Sequence, residues 1–249
     1  MKKPILIVAV VTAAIIAARF MSRHFTAGTP RIPAMFRVAL PESCEQVMLV
    51  LSPQDESVDA RLWLLEREHA GRWRTFAGPI PVTLGRKGLA WGVGEHCCEP
   101  PLNFSIKYEG DGCSPAGVFL IPFAFGVAPT AEAEWLKLRY VPLTPTIIGV
   151  DDPKSRYYNQ VVDNTKVERD WDSNEAMVRY DELYRWGAFI AHNPGGVPYR
   201  GSCIFLHLWP APGIATAGCT GMSAGSIKLV LGWLDPAKEP RLMQGMERW

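Results

Sequence analysis

The sequence predicts a mostly β fold with a few helices packed on it. Two observations carry this. Apolar segments are short and separated by turn residues, and the 22 Gly and 21 Pro are spread along the chain rather than gathered in one biased run. Helical periodicity, by contrast, is confined to the C-terminal third. Taken in order, residues 46–52 (QVMLVLS) read as an apolar strand. Residues 61–66, 73–76 and 80–84 read as three more, the last ended by the turn Gly85-Arg86-Lys87-Gly88. Residues 118–124 (VFLIPFA) read as a strand bent at Pro122. Residues 172–185 read as the main helical stretch, with Asp172 as cap and Glu175 three residues on to complete a capping box. Residues 189–191 and 203–208 return to strand. The last helix is expected at 223–234, where Ile227, Val230, Leu231 and Leu234 fall at i, i+3, i+4 and i+7, and Asp235-Pro236 stops it.

The chain has 249 residues, 48% hydrophobic and 20% charged, enough for one domain with a sizeable core. The net charge is +1 and no basic stripe interleaves with aromatics, so no nucleic-acid partner is expected. There is no internal repeat. Residues 4–18 (PILIVAVVTAAIIAA) carry no charge and follow Met1-Lys2-Lys3, the pattern of a secretory signal or a short membrane anchor. The expected organisation is therefore 1–24 signal peptide or N-terminal anchor, 25–40 Pro-broken linker, and 41–249 a single domain. The domain is placed in the cell envelope on the periplasmic side, with Lys2 and Lys3 holding the N-terminus in the cytoplasm.

Export makes disulfides possible among Cys44, Cys97, Cys98, Cys113, Cys203 and Cys219. No C-x-x-C spacing supports a zinc site. His96-Cys97-Cys98 reads more plainly as one disulfide cysteine and one buried thiol than as metal ligands, so no metal is expected. Neither His24 nor His69 has a supporting context.

The chemistry concentrates in residues 202–223, SCIFLHLWPAPGIATAGCTGMS. An apolar run delivers His207, and Cys219 follows between Gly218 and Thr220. A thiol is a useful nucleophile as thiolate, and a nearby imidazole takes its proton. Gly218 lets a substrate carbonyl approach, and the N–H groups of Gly218, Cys219 and Thr220 are candidate oxyanion donors. The helix expected after Cys219 would favour the thiolate through its N-terminus. On the residues alone, two buried side chains on neighbouring strands is the plainer alternative.

The turn Thr216-Ala217-Gly218-Cys219 after His207 resembles the signature of the peptidoglycan L,D-transpeptidases with a YkuD-type catalytic domain. A second segment, EGDGCSPAGVFLI at 109–121, resembles that family's upstream stretch at Gly110, Asp111, Ser114, Pro115, Gly117 and Phe119. On physics alone it is a Gly/Pro turn feeding a strand. Residues 151–163 and 184–193 extend the likeness toward a proteobacterial branch. The resemblance implies a β-rich catalytic domain, Cys219 as nucleophile, His207 as base and acid, and Thr216, Gly218 and Thr220 as support. It implies peptidoglycan stem peptides as substrate and partner, and no cofactor. The implied reaction breaks the bond between the third and fourth stem residues and passes the acyl group to an amine. A carbapenem would acylate the same thiol. Hydrolysis on the same scaffold (carboxypeptidase or endopeptidase) and a non-catalytic wall-binding domain are the alternatives. Trp209, Tyr158 and His192 are candidate substrate contacts, with loop or core packing as the plainer reading of each. Adjacent Asp151 and Asp152 read as a loop cap rather than an acid pair. The chain departs from the family at Ala217, where many members have His, and at Gly221, where they have an arginine. Arg156, Arg179 and Arg200 are the candidates to replace that arginine.

Overall fold

The N-terminal part of the fold is built on the apolar run at residues 47–51. In the computed structural model, residues 30–68, 71–178 and 182–249 are described, and 32–249 form one folded unit. The segment expected to be a signal or anchor (1–24) lies outside the described residues, as does His24. Within the described residues no helix is long and apolar enough to cross a membrane. The expected linker is not all linker. A short helix α1 (Ala34–Arg37) forms there, and Ile32 and Phe36 are buried in the core.

Strand β1 (Gln46–Ser52) is buried along its whole length. It pairs antiparallel with β2 (Asp59–Arg67), which pairs antiparallel with β3 (Trp73–Thr83). The sequence reading split β3 in two at Gly78-Pro79. The structure runs one strand through it, with register shifts opposite Leu62–Leu65. A β-bulge absorbs the two breakers, and Gly78 is required there because a Cβ would meet the Leu62 carbonyl at 2.8 Å. Next come β4 (Leu89–Trp91), β5 (Ser114–Leu120), β6 (Ala124–Gly126) and β7 (Tyr140–Pro142). The expected strand at 118–124 thus begins four residues earlier and breaks before Pro122.

A separate three-stranded sheet follows: β8 (Ile147–Val150) lies between β9 (Gln160–Asp163) and β10 (Asn174–Ala176). This corrects the expected helix at 172–185. Asp172 does not act as its cap residue: its N–H goes to Asp152 Oδ2 at 2.8 Å, and Glu175 lies opposite Gly149 in the β10–β8 ladder. The start of the segment pairs with β8 instead, Asn174 to Ala176 opposite Val150 to Ile148, so tertiary pairing overrides the local helical signals. Residues 179–181 are outside the description.

The large sheet closes with β11 (Gly187–Phe189), β12 (Phe205–Leu208), β13 (Thr220–Met222) and β14 (Arg241–Met246). Its order is β4-β5-β14-β1-β2-β3-β13-β12-β11-β6-β7. This sheet is rolled over on itself. Thr220 of β13 donates its hydroxyl to Gln244 Oε1 of β14 at 2.9 Å, although β1, β2 and β3 lie between them in the order. Twisted sheets of this size curl in this way.

Helix α2 (Ala224–Trp233) matches the last expected helix. Ser223 caps it by accepting the Ser226 N–H, and Ile227, Val230, Leu231 and Leu234 are all fully buried. Its C-terminal end is held by a side chain of β1. Gln46, buried, donates Nε2–H to the Trp233 carbonyl and accepts the Asp235 N–H, both at 2.8 Å. Replacing Gln46 by Met keeps the volume and strands both backbone groups. Gln46→Met is therefore expected to destabilise the fold by about 2 kcal/mol, read as a lower urea midpoint with an unchanged slope.

Candidate active site

Strand β12 carries His207 and lies parallel to β13, with Leu206 opposite Thr220, His207 opposite Gly221 and Leu208 opposite Met222. One step back, the same register sets Cys219 beside Phe205, and the Phe205 N–H points at Cys219 Sγ at 3.4 Å. Side chains on a strand alternate faces, so Phe205 and His207 share one face, and Cys219, just before β13, lays its sulfur against the β12 backbone beside them. One strand spacing across and two residues along put the two Cα atoms about 8 Å apart, within reach of an imidazole. Both residues line one cleft of about 330 Å³.

The turn that presents Cys219 is fastened on several sides. Thr216 Oγ1 accepts the Gly218 N–H at 3.1 Å and donates to the Cys219 carbonyl at 2.6 Å. Ser114, from the second motif, donates to the same carbonyl at 3.0 Å and accepts the Gly85 N–H at 2.8 Å. Two segments over a hundred residues apart thus meet on one carbonyl. The Thr216 backbone bonds Leu84 and Arg86. At Gly218 a Cβ would sit 3.0 Å from the Cys113 carbonyl, so the turn needs its glycine.

These bonds revise two expectations. The Gly218 N–H is committed to Thr216 and does not serve an oxyanion. The Thr220 side chain supports the site from behind, through Gln244. Nor does a helix N-terminus act on Cys219. Strand β13 separates them, and four extended residues span about 13 Å, whereas the dipole effect fades within the first turn.

His207 is buried, with Nδ1 2.7 Å from the Leu208 carbonyl. A carbonyl only accepts, so Nδ1 carries the proton and Nε2 holds the lone pair of the neutral ring, the tautomer of a base. The Tyr184 ring packs edge-on against the imidazole at 5.3 Å. Behind it Phe125, Phe189 and Phe205 form an apolar cluster that includes Cys219.

The other candidate contacts fall elsewhere. His192 is fully buried, accepting the Val93 N–H at Nδ1 and donating from Nε2 to the Arg200 carbonyl. Burial pushes its pKa down to about 3. It is a core histidine, not a cleft residue. Tyr158 is buried behind the cleft, where its hydroxyl donates to Glu109 and accepts the Gly201 N–H. Burial and the Glu109 carboxylate push its pKa up. Trp209 is half-buried and is not among the residues lining the cleft. His96 accepts the Val118 N–H and packs against Trp91 and Phe36, as a core residue does.

The cleft also holds residues that sequence reasoning missed: Arg86, Lys107, Glu109, Glu175 and Cys203. Asp151 lines it too, rather than capping a loop. Only Asp152 caps, accepting the Lys154 and Asp172 N–H groups. Lys107 is buried and ion-paired with Asp111 at 2.5 Å. Glu109 also accepts the Ser202 hydroxyl at 2.7 Å. Of the arginines expected to replace the one missing at Gly221, Arg156 pairs with Glu168 and Asp170 at the surface, Arg200 is not in the lining, and Arg179 lies outside the described residues. Arg86 is in the lining instead. No disulfide joins any of the six cysteines, which overturns the expected disulfide at Cys97 or Cys98. Cys203 lies beside the nucleophile candidate, with Cys219 Sγ 3.6 Å from its carbonyl, and complete burial pushes its pKa well up.

The His192 environment gives a pH test of the scaffold. The unfolded histidine binds a proton near pH 6.5 and the folded one near pH 3. The unfolded state therefore holds more protons in this window, so this contribution is full above pH 6.5 and is lost as pH falls toward 3. Replacing His192 by Gln is expected to flatten the stability-versus-pH slope between pH 4 and 6 by about 1.4 kcal/mol per unit, measured by urea unfolding of both proteins at each pH.

A scan against protein-family models finds no matching family, and searches of the curated proteins and of the solved structures find no match to this chain.

Proposed function

We propose that this chain is a cysteine acyltransferase of the L,D-transpeptidase type, acting on peptidoglycan stem peptides on the periplasmic side of the envelope. The observation that carries the reading is the shared cleft. His207 lines it from β12 and Cys219 from the turn that enters the parallel strand β13, with the imidazole in the tautomer of a base. Support also comes from the contact of both sequence motifs at the Cys219 carbonyl.

In this reading His207 Nε2 takes the thiol proton. The Cys219 sulfur attacks the carbonyl between the third and fourth stem residues, and a tetrahedral oxyanion forms. Its collapse breaks the C–N bond, and the imidazolium gives its proton to the departing amine of the fourth residue. The enzyme is left as a thioester. An amine from a second stem then attacks that carbonyl, His207 removes its proton, and the thiolate leaves as the new amide forms. The two steps need no redox change. Buried aromatic walls beside Cys219 and His207 protect the thioester from bulk water.

The test uses the full chain and tetrapeptide-bearing muropeptides, analysed by mass spectrometry. Cross-linked dimers are the expected product, while tripeptides alone would replace transfer by hydrolysis. Cys219→Ser is expected to abolish turnover, and His207→Gln to lower it about 10²–10⁴-fold. Full activity in Cys219→Ser overturns the reading. A carbapenem is expected to add one equivalent to wild-type protein, on the peptide holding Cys219, and none to Cys219→Ser.

A further inference from the structure

The cleft carries a positive group that the acyl-transfer chemistry leaves without a role. Where the resembled family has an arginine two residues after the cysteine, this chain has Gly221. That position is closed here. A Cβ on Gly221 would come 2.9 Å from Thr83 Oγ1 and 3.3 Å from Trp209 Cβ, so no long side chain is accommodated. Arg86 reaches the same cleft from the turn after β3. Its backbone N–H is bonded to the Thr216 carbonyl at 3.0 Å, which ties it to the turn that presents Cys219. Its guanidinium lies over Gly112, where a Cβ would approach Cζ to 2.9 Å and Nε to 3.0 Å. Gly112, at φ +77°, leaves the space that the guanidinium occupies.

The other charges of the cleft single Arg86 out. Lys107 is neutralised by Asp111. Glu109 is held by the hydroxyls of Tyr158 and Ser202, and Glu175 by that of Tyr184. Asp151 completes the acidic side. Among the described residues, no carboxylate lies within ion-pair distance of Arg86, so its guanidinium is the cation left to take an anion from a ligand. The three carboxylates repel an anion from the rest of the cleft.

We propose that Arg86 is the carboxylate-binding residue of this cleft and takes the free terminal carboxylate of the residue that departs. The guanidinium grips a carboxylate through two parallel hydrogen bonds, which orients it as well as holding it. The cleft then selects peptides that end in a free α-carboxylate over amidated or extended ones. The identity of the departing residue rests on the acyl-transfer reading; the anion preference does not.

Two measurements separate these. The first alkylates the full chain with iodoacetate, an anion, and with iodoacetamide, its neutral analogue, and follows each cysteine by peptide mass spectrometry. Arg86→Ala is expected to lower the iodoacetate-to-iodoacetamide rate ratio at Cys219 about tenfold, with Arg86→Lys in between. The ratio at exposed Cys97 serves as internal control and is expected to stay constant. An unchanged ratio at Cys219 in Arg86→Ala overturns the proposal. The second compares tetrapeptide donors ending in carboxylate and in carboxamide. Wild type is expected to show a KM about tenfold lower for the carboxylate, and Arg86→Ala to lose that preference with a smaller change in kcat. Turnover whose KM preference survives in Arg86→Ala also overturns it. No turnover of either donor, with the alkylation ratio still falling, rejects the acyl-transfer reading and leaves the anion site standing.

Discussion

The parallel pairing of β12 with β13 is the constraint on which the rest of the site depends. A parallel pair keeps the side chains of partner residues on one face, so the register of Leu206 with Thr220 decides which way both His207 and Cys219 point. A slip of one residue on either strand would turn one of them to the far side of the sheet. The register is held from outside the pair. Thr220 is tied to Gln244 across the rolled sheet, and α2 follows β13 closely with Ile227, Val230 and Leu231 fully buried. The position of the nucleophile candidate is thus paid for by the main core, not by the cleft.

The cleft itself is asymmetric in its polarity. One wall is apolar, with Tyr184 against His207 and Phe205 beside Cys219. The other wall is charged, and most of its charges are already engaged with neighbouring side chains. Pre-engaged groups do not need to reorganise during a reaction, which is the arrangement that stabilises developing charge at least cost. Backbone hydrogen bonding completes the picture. The Cys219 carbonyl receives two hydroxyls, so the chain direction at the thiol is fixed before any ligand enters.

How much of this was readable in the sequence follows from the range of the interactions involved. Helix α2 was readable because its stripe and its stop are local. Strand β1 was readable because its centre, residues 47–51, is an unbroken apolar run. The continuity of β3 was hidden, since Gly78 and Pro79 look like an end when the bulge partner on β2 is unseen. The stretch at 172–185 misled for the complementary reason: its capping residues are helical in local terms, but pairing with β8 decided its structure. Cys219 and His207 stand out through their motif, and the structure sets both in one cleft. Arg86 was not, because nothing in a GRKG turn shows that its backbone will be sewn to residue 216. His192, Tyr158 and Trp209 have the right chemistry for a site, and burial or position removes them from it.

The central claim is that Cys219 becomes acylated by a stem peptide. The most direct measurement mixes the full chain with a tetrapeptide donor, withholds any acceptor amine, quenches in acid within the first turnovers and analyses the protein by mass. The expected result is a mass increase equal to the tripeptide acyl group, located on the peptide containing Cys219 and removed by hydroxylamine as a thioester is. An unmodified Cys219 in protein that nonetheless releases the fourth residue would contradict it.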